Sequence, residues 1–158
     1  TTADFDAQQK LLIKIDSALS NIHSSVNLMR NVQSQLQFYI KTLKGNQTYA
    51  QLIEKAEAID KQLIDWETNL IQPNQKTFQD VINFNNKLNA EWMYLKGFVD
   101  SEFPKVTQGA KDRFKDLLAK WKIHQNKLTV LIEDEFSAFE ILFKSMEVPA
   151  LLIPELID

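Results

Sequence analysis

The chain has 158 residues, 44% hydrophobic and 25% charged, with a net charge of −3; that is enough for one soluble domain with a real core. Arg occurs only at Arg30 and Arg113 and no basic face is visible, which excludes nucleic acid as an expected partner. Cys is absent, which removes disulfides, zinc–thiolate sites and thiol catalysis, and no apolar run approaches the ~20 residues of a bilayer-spanning helix.

Only 3 Gly and 4 Pro punctuate the chain, so the regular elements should be long. The first helix is read from about Asp4 to Leu43. Leu12, Ile15, Leu19, Ile22, Val26, Met29, Leu36, Ile40 and Leu43 recur in steps of three and four, with one gap at Gln33. That is a heptad seam, suited to near-parallel packing. Lys44-Gly45-Asn46 gives it a basic last turn and a left-handed cap. Thr48 should open the second helix through a capping box with Gln51. Its stripe is Leu52, Ala56, Ile59, Leu63, Trp66 and Leu70, stopped at Gln72-Pro73. An irregular connection follows, in which Phe78, Val81 and Ile82 are expected against the core.

The third helix is placed within Phe84–Pro104. Its stripe is Phe84, Leu88, Trp92, Leu95 and Val99, and Met93, Tyr94 and Phe98 flank it. A helix apolar on several faces is usually buried, so this one is expected to be the most buried, the helix against which the others pack. Gly97 inside it reads as a point of close helix approach, where Gly97→Leu should destabilise strongly. Asp100-Ser101 should end it. Thr107 caps a fourth helix with the stripe Ala110, Phe114, Leu117, Trp121, His124, Leu128 and Leu131. Near Glu133-Asp134-Glu135 the stripe slips to Ile132, Phe136, Phe139, Phe143 and Met146, which predicts a kink or short break and then a fifth helix. After Val148-Pro149-Ala150 the tail should be extended.

The prediction is therefore all-α: an up-and-down antiparallel bundle of four long helices plus a short fifth, with an extended C-terminal tail. Residues 1–158 form a single helical-bundle domain. The start at Thr1-Thr2 without Met reads as a C-terminal fragment of a larger protein. One mismatch stands out. The first helix is much longer than the second, and its overhang needs cover from the fifth helix, the connection or a missing segment.

No residue constellation points to catalysis, a cofactor or a metal. His124 and His23 lack a carboxylate or second His at helical spacing, so both read as half-buried structural residues. Glu-x-x-His pairs of a di-iron bundle are absent from the sequence. Glu133-Asp134-Glu135 reads as the acidic first turn of the fifth helix. Asp100 and Glu102 have no opposed carboxylate that the sequence can place, as glycoside hydrolysis would need. Trp66, Trp92 and Trp121 fall on stripes and read as core. Tyr49 and Tyr94 lie off the stripes, and they are the candidate interaction surface.

Asn83-Phe84, Lys87-Leu88-Asn89, Leu95, Gly97, Val99-Asp100-Ser101, Phe139 and Val148-Pro149-Ala150 together resemble a C-terminal helical domain. It belongs to large exported bacterial proteins, often of Bacteroidetes, with an Asp-box (bacterial neuraminidase repeat) β-propeller similar to that of sortilin. These proteins are often labelled glycosyl hydrolases. The chain departs from the family at Asn85 and Asn86, where proline is usual, and at Ala90-Glu91-Trp92. The resemblance implies a non-catalytic accessory module beside an upstream β-propeller, in the periplasm or cell envelope. It supplies no catalytic residues. The alternatives are a contribution to carbohydrate binding or hydrolysis by the parent, and a helix-mediated dimerisation module.

Overall fold

The first helix, α1 (Thr2–Leu43), is the axis of the molecule in this computed structural model; the structure describes residues 1–77, 80, 83–150 and 152. Its 42 residues reach about 63 Å at ~1.5 Å each. Thr1 Oγ1 caps it by accepting from the Asp4 N–H at 3.3 Å. The expected seam is the buried stripe, from Ile15 through Ile22 and Val26 to Leu43. The gap at Gln33 is filled by polar groups. Gln33 and Gln37 donate to the carboxylate of buried Asp60 on the neighbouring helix, at 3.4 and 2.5 Å. Gly45 adopts φ +89° and reverses the chain.

The entry to the second helix differs from the expected capping box at Thr48. Asn46 accepts the Thr48 N–H at 3.0 Å and starts a 3₁₀ turn, Gln47–Tyr49. The second helix, α2 (Ala50–Leu70), then begins without a side-chain cap. The shorter Asx side chain bonds two residues on, which suits a tight turn better than a Thr reaching three.

Arg30 pairs with Glu67, and Gln37 with Asp60; higher α1 numbers face lower α2 numbers, so α2 runs antiparallel along the second half of α1. A connection from 71 to 87 leads to α3 (Leu88–Val99). Within it Gln75 Nε2 donates to Phe84 O at 3.2 Å. Phe84 precedes the helix and is half-buried, so α3 starts four residues later than its apolar spacing suggested. Phe78, Val81 and Ile82 lie outside the described residues. Lys96 meets Asp16 at 2.7 Å, and Gln8 donates to the carbonyls of Val99 and Ser101 at 2.7 and 2.9 Å. These contacts set α3 antiparallel to the first half of α1. Thus α2 and α3 run in the same direction, one after the other, beside a single long helix. The overhang of α1 is covered by α3, because the long connection carries the chain onward instead of turning it back.

The chain returns through α4 (Gln108–Val130), capped by Thr107 as expected, with Ala110 N–H to Thr107 Oγ1 at 3.1 Å. Lys120 and Arg113 meet Glu91 of α3 at 3.0 and 3.3 Å. Higher up, Trp66 Nε1 of α2 donates to His124 O at 2.9 Å, and Lys55 reaches Glu135 at 2.6 Å. So α4 climbs past α3 and then past α2. At the expected break the backbone stays helical. Leu131–Phe136 is a π-helical turn, followed by α5 (Ser137–Ser145). A π turn inserts one extra residue per turn, which is the phase slip seen in the apolar stripe. Glu133-Asp134-Glu135 therefore lies inside a continuous helix. Its preceding amides are not free, and the dipole role of a first turn does not apply to it.

The fold class is all-α, a helical bundle with no strand among the described residues. Its four helical stretches make three rods: α1 up, α2 then α3 down, and α4 with the π turn and α5 up. The core joins all three, through Ile22, Leu63, Trp92, Leu95, Leu117 and Trp121 among others. Contrary to expectation, the helix that touches both α2 and α3 most extensively is α1, so α3 is not the hub. The residues that followed from the stripes, Trp66, Trp92 and Trp121, are buried. Leu151 and residues 153–158 are outside the described residues, as is the extended tail expected there.

Candidate interaction surface

Packing against α1 and α4 takes up one stripe of α3: Leu88, Trp92, Leu95 and Val99 are buried. The opposite face is open. Its exposed residues are Met93, Tyr94, Gly97 and Phe98, with no charged residue among them. Met93 and Phe98 are each 57% exposed and Tyr94 is 82% exposed. Helical spacing of one, three, four and five residues puts these four on a single face. Phe103, just past the helix, adds a further ring that is 82% exposed.

Charges border this face on both sides. Lys96 and Asp16 form an ion pair toward α1, and the hydrogen bond to the Asp16 carboxylate, and then its charge, raise the Lys96 pKa. Glu91 holds Arg113 and Lys120 toward α4. A groove of about 290 Å³ runs along that second border, between Tyr94, Phe98 and Arg113. An apolar centre with a charged rim is the anatomy of a recognition surface.

Gly97 has a role unlike the one its position suggested. A Cβ built there meets nothing within 4 Å, so no helix approaches it. It leaves a shallow gap on the open face between Met93, Tyr94 and Phe98. Of the two candidate tyrosines, Tyr94 belongs to this face. Tyr49 is half-buried in the 3₁₀ turn beyond the C-terminal end of α1. The two sit along opposite halves of α1, and the fold does not bring them together. Met93 and Phe98 were read from sequence as flanks of a buried helix, and Phe103 was not singled out. Their signal was there, as large apolar residues off the stripe, but the same signal reads as burial.

The remaining polar candidates separate. His23 is exposed, against expectation, because Ile22 and Val26 fill the stripe on either side. His124 is half-buried as read, and it lines a groove of about 620 Å³ between α2 and α4 with Trp66, Asp65, Lys127 and Asp134. Its buried Nδ1 has no hydrogen-bond partner. Burial, and then the nearby Lys127, lower its pKa: protonation would place a second N–H where no acceptor stands. Trp92 Nε1 is the other buried nitrogen without a partner among the described residues. No three His, Asp or Glu among the described residues are grouped to hold a metal ion. No described helix is long and apolar enough to cross a membrane.

What the fold and its open face define is an all-α bundle with an unpartnered apolar face on α3. No protein-family model, curated protein or solved structure matches the chain.

Proposed function

We propose that this domain is a non-catalytic interaction module that docks through the outward face of α3 against a neighbouring domain of the same polypeptide. Following the resemblance of Asn83–Ser101 and Val148–Ala150, that neighbour is an upstream Asp-box β-propeller, and the parent is an exported bacterial protein of the cell envelope. The observation that carries the reading is that every exposed residue of α3 is uncharged and three of the four are large and apolar. Folding does not require this, since α3 already buries a full stripe elsewhere. Leaving such a patch in water forgoes roughly 25 cal/mol per Å² that a partner would recover.

Oxidative footprinting of Met93, Tyr94 and Phe98 tests the proposal, with the parent polypeptide compared against the isolated domain. Modification at all three should slow several-fold in the parent, and Tyr94→Asp with Phe98→Asp should restore solvent access at Met93. Equal rates in parent and domain overturn the reading. Protection that grows with the concentration of the isolated domain would instead assign the face to self-association. A glycoside-hydrolase role predicts that deleting the domain abolishes parental activity, whereas a docking module predicts that some activity survives.

A further inference from the structure

The charged rim of the open α3 face is not symmetric. Toward α1 the pairing is one to one: Lys96 meets Asp16 at 2.7 Å and the two charges cancel. Toward α4, two cations converge on one carboxylate oxygen. Lys120 Nζ and Arg113 Nη2 both approach Glu91 Oε2, at 3.0 and 3.3 Å, so one positive charge is left over on that side. The Arg113 contact is longer than the ~2.7–2.9 Å of a charge-assisted hydrogen bond, and the Arg113 side chain is 43% exposed. A guanidinium carries its N–H donors in a planar fork suited to gripping a carboxylate at two points. Glu91 does not close that fork.

The groove of about 290 Å³ lies on this same border. Tyr94, Leu95 and Phe98 of α3 give it an apolar wall, while Gly109 and Ala110 of α4 line it with little bulk. The charged residues of its lining are Glu91 and Arg113. Asn86 lines it too, and its Oδ1 is engaged by Gln75 Nε2 at 3.5 Å, so what Asn86 has left to offer is N–H. The polar capacity left over in the groove is therefore that of donors, and it calls for an acceptor. The volume sits at the lower end of the roughly 300–1,000 Å³ of small-molecule pockets, which suits one inserted side chain better than a cofactor.

We infer that this groove receives an aromatic group beside a carboxylate: on a docking partner, an acidic residue next to an aromatic one. The carboxylate sits on Arg113, and the ring packs edge-to-face or offset against Tyr94 and Phe98. The inference rests on the docking reading above and adds to it the chemistry and orientation of the partner, whose acidic side lies toward α4. An uncharged or basic insert would desolvate the surplus cation without supplying a counter-charge, which costs affinity.

Naphthoate and naphthamide test this in the full chain, because the two probes share a ring and differ in charge. Followed by NMR, both should shift the ring signals of Tyr94 and Phe98, and naphthoate should bind about two- to fivefold more tightly, the range of a partly exposed ion pair. Arg113→Gln should remove the difference and keep the naphthamide binding. Glu91→Gln, which takes away the competing carboxylate, should widen it. Equal binding of the two probes to the native chain, a preference that survives Arg113→Gln, or shifts centred away from Tyr94 and Phe98 overturn the inference, as does the failure of both probes to bind at millimolar concentration. In the parent polypeptide, footprinting protection of Tyr94 and Phe98 that survives Arg113→Glu overturns this inference and leaves the docking reading standing. Absence of protection in the native parent overturns both, and protection that grows with the concentration of the isolated domain gives the groove to a second copy and overturns both as well.

Discussion

Helices α2 and α3 occupy equivalent places, one after the other along α1, yet their outward faces are opposites. Both bury a stripe of comparable character: Leu52, Ala56, Ile59, Leu63 and Leu70 in α2, and Leu88, Trp92, Leu95 and Val99 in α3. Outside, α2 shows Glu54, Glu57, Lys61 and Asp65 to water, with Ile64 as its one exposed large apolar side chain. In α3 the same outward position is taken by Met93, Tyr94, Gly97 and Phe98. The inner stripe is what the bundle needs. The outer face is free to vary, so an apolar outer face adds nothing to the core.

Breaking the inner stripe should hurt both helices alike. Leu63→Ala and Leu95→Ala should each cost about 2–5 kcal/mol in denaturant unfolding, through lost burial and the cavity left behind. A negligible cost at Leu95 would mean that α3 is not part of the cooperative core. A smaller effect sharpens the outer face. Gly97→Ala should stabilise by roughly 0.5–1 kcal/mol, since it improves helix propensity in open space. Destabilisation on the same measurement would restore the close-packing role that its position first suggested.

The smallest effect concerns the seam between α2 and α4. The folded-state pKa of His124 lies below its ordinary value of 6.5, so the unfolded chain binds more protons between the two values. Stability should be at its full value above about pH 6.5 and decline as pH falls through that window toward the lowered pKa. His124→Gln should flatten this slope, measured as unfolding midpoints between pH 7.5 and pH 5.5. Asp4 and Asp80, whose pKa values are also lowered, by hydrogen bonds from Thr1 and from the Thr77 backbone, act only below pH 4 and do not blur the result.

Much of this architecture was legible in the residues. The seam of α1, the stripe of α2, the Thr107 cap and the three buried tryptophans all follow from apolar spacing and local capping chemistry. The phase slip at Glu133–Glu135 was visible too, but its form was not. Spacing records that a stripe has rotated, and both a break and a π turn rotate it. The shared direction of α2 and α3 was hidden, because a connection as long as 71–87 fits either a reversal or a continuation. The open face of α3 was misread for a related reason. Met93, Tyr94 and Phe98 look alike in sequence whether they meet the core of their own domain or await another. Gln8 gave no signal at all. Its clamp on the carbonyls of Val99 and Ser101 joins residues more than 90 positions apart.

The π turn at Leu131–Phe136 gives the third rod a fixed arithmetic. Each residue added to or removed from an α-helix swings everything beyond it by about 100°. Here one surplus residue sets Phe139 and Phe143 toward Tyr39 while Leu117 and Trp121 still face the core. Deleting a single residue between 131 and 136 would leave a regular helix, with better hydrogen-bond geometry and the wrong aim. The turn therefore makes chain length in this segment, more than side-chain identity, the quantity that cannot drift.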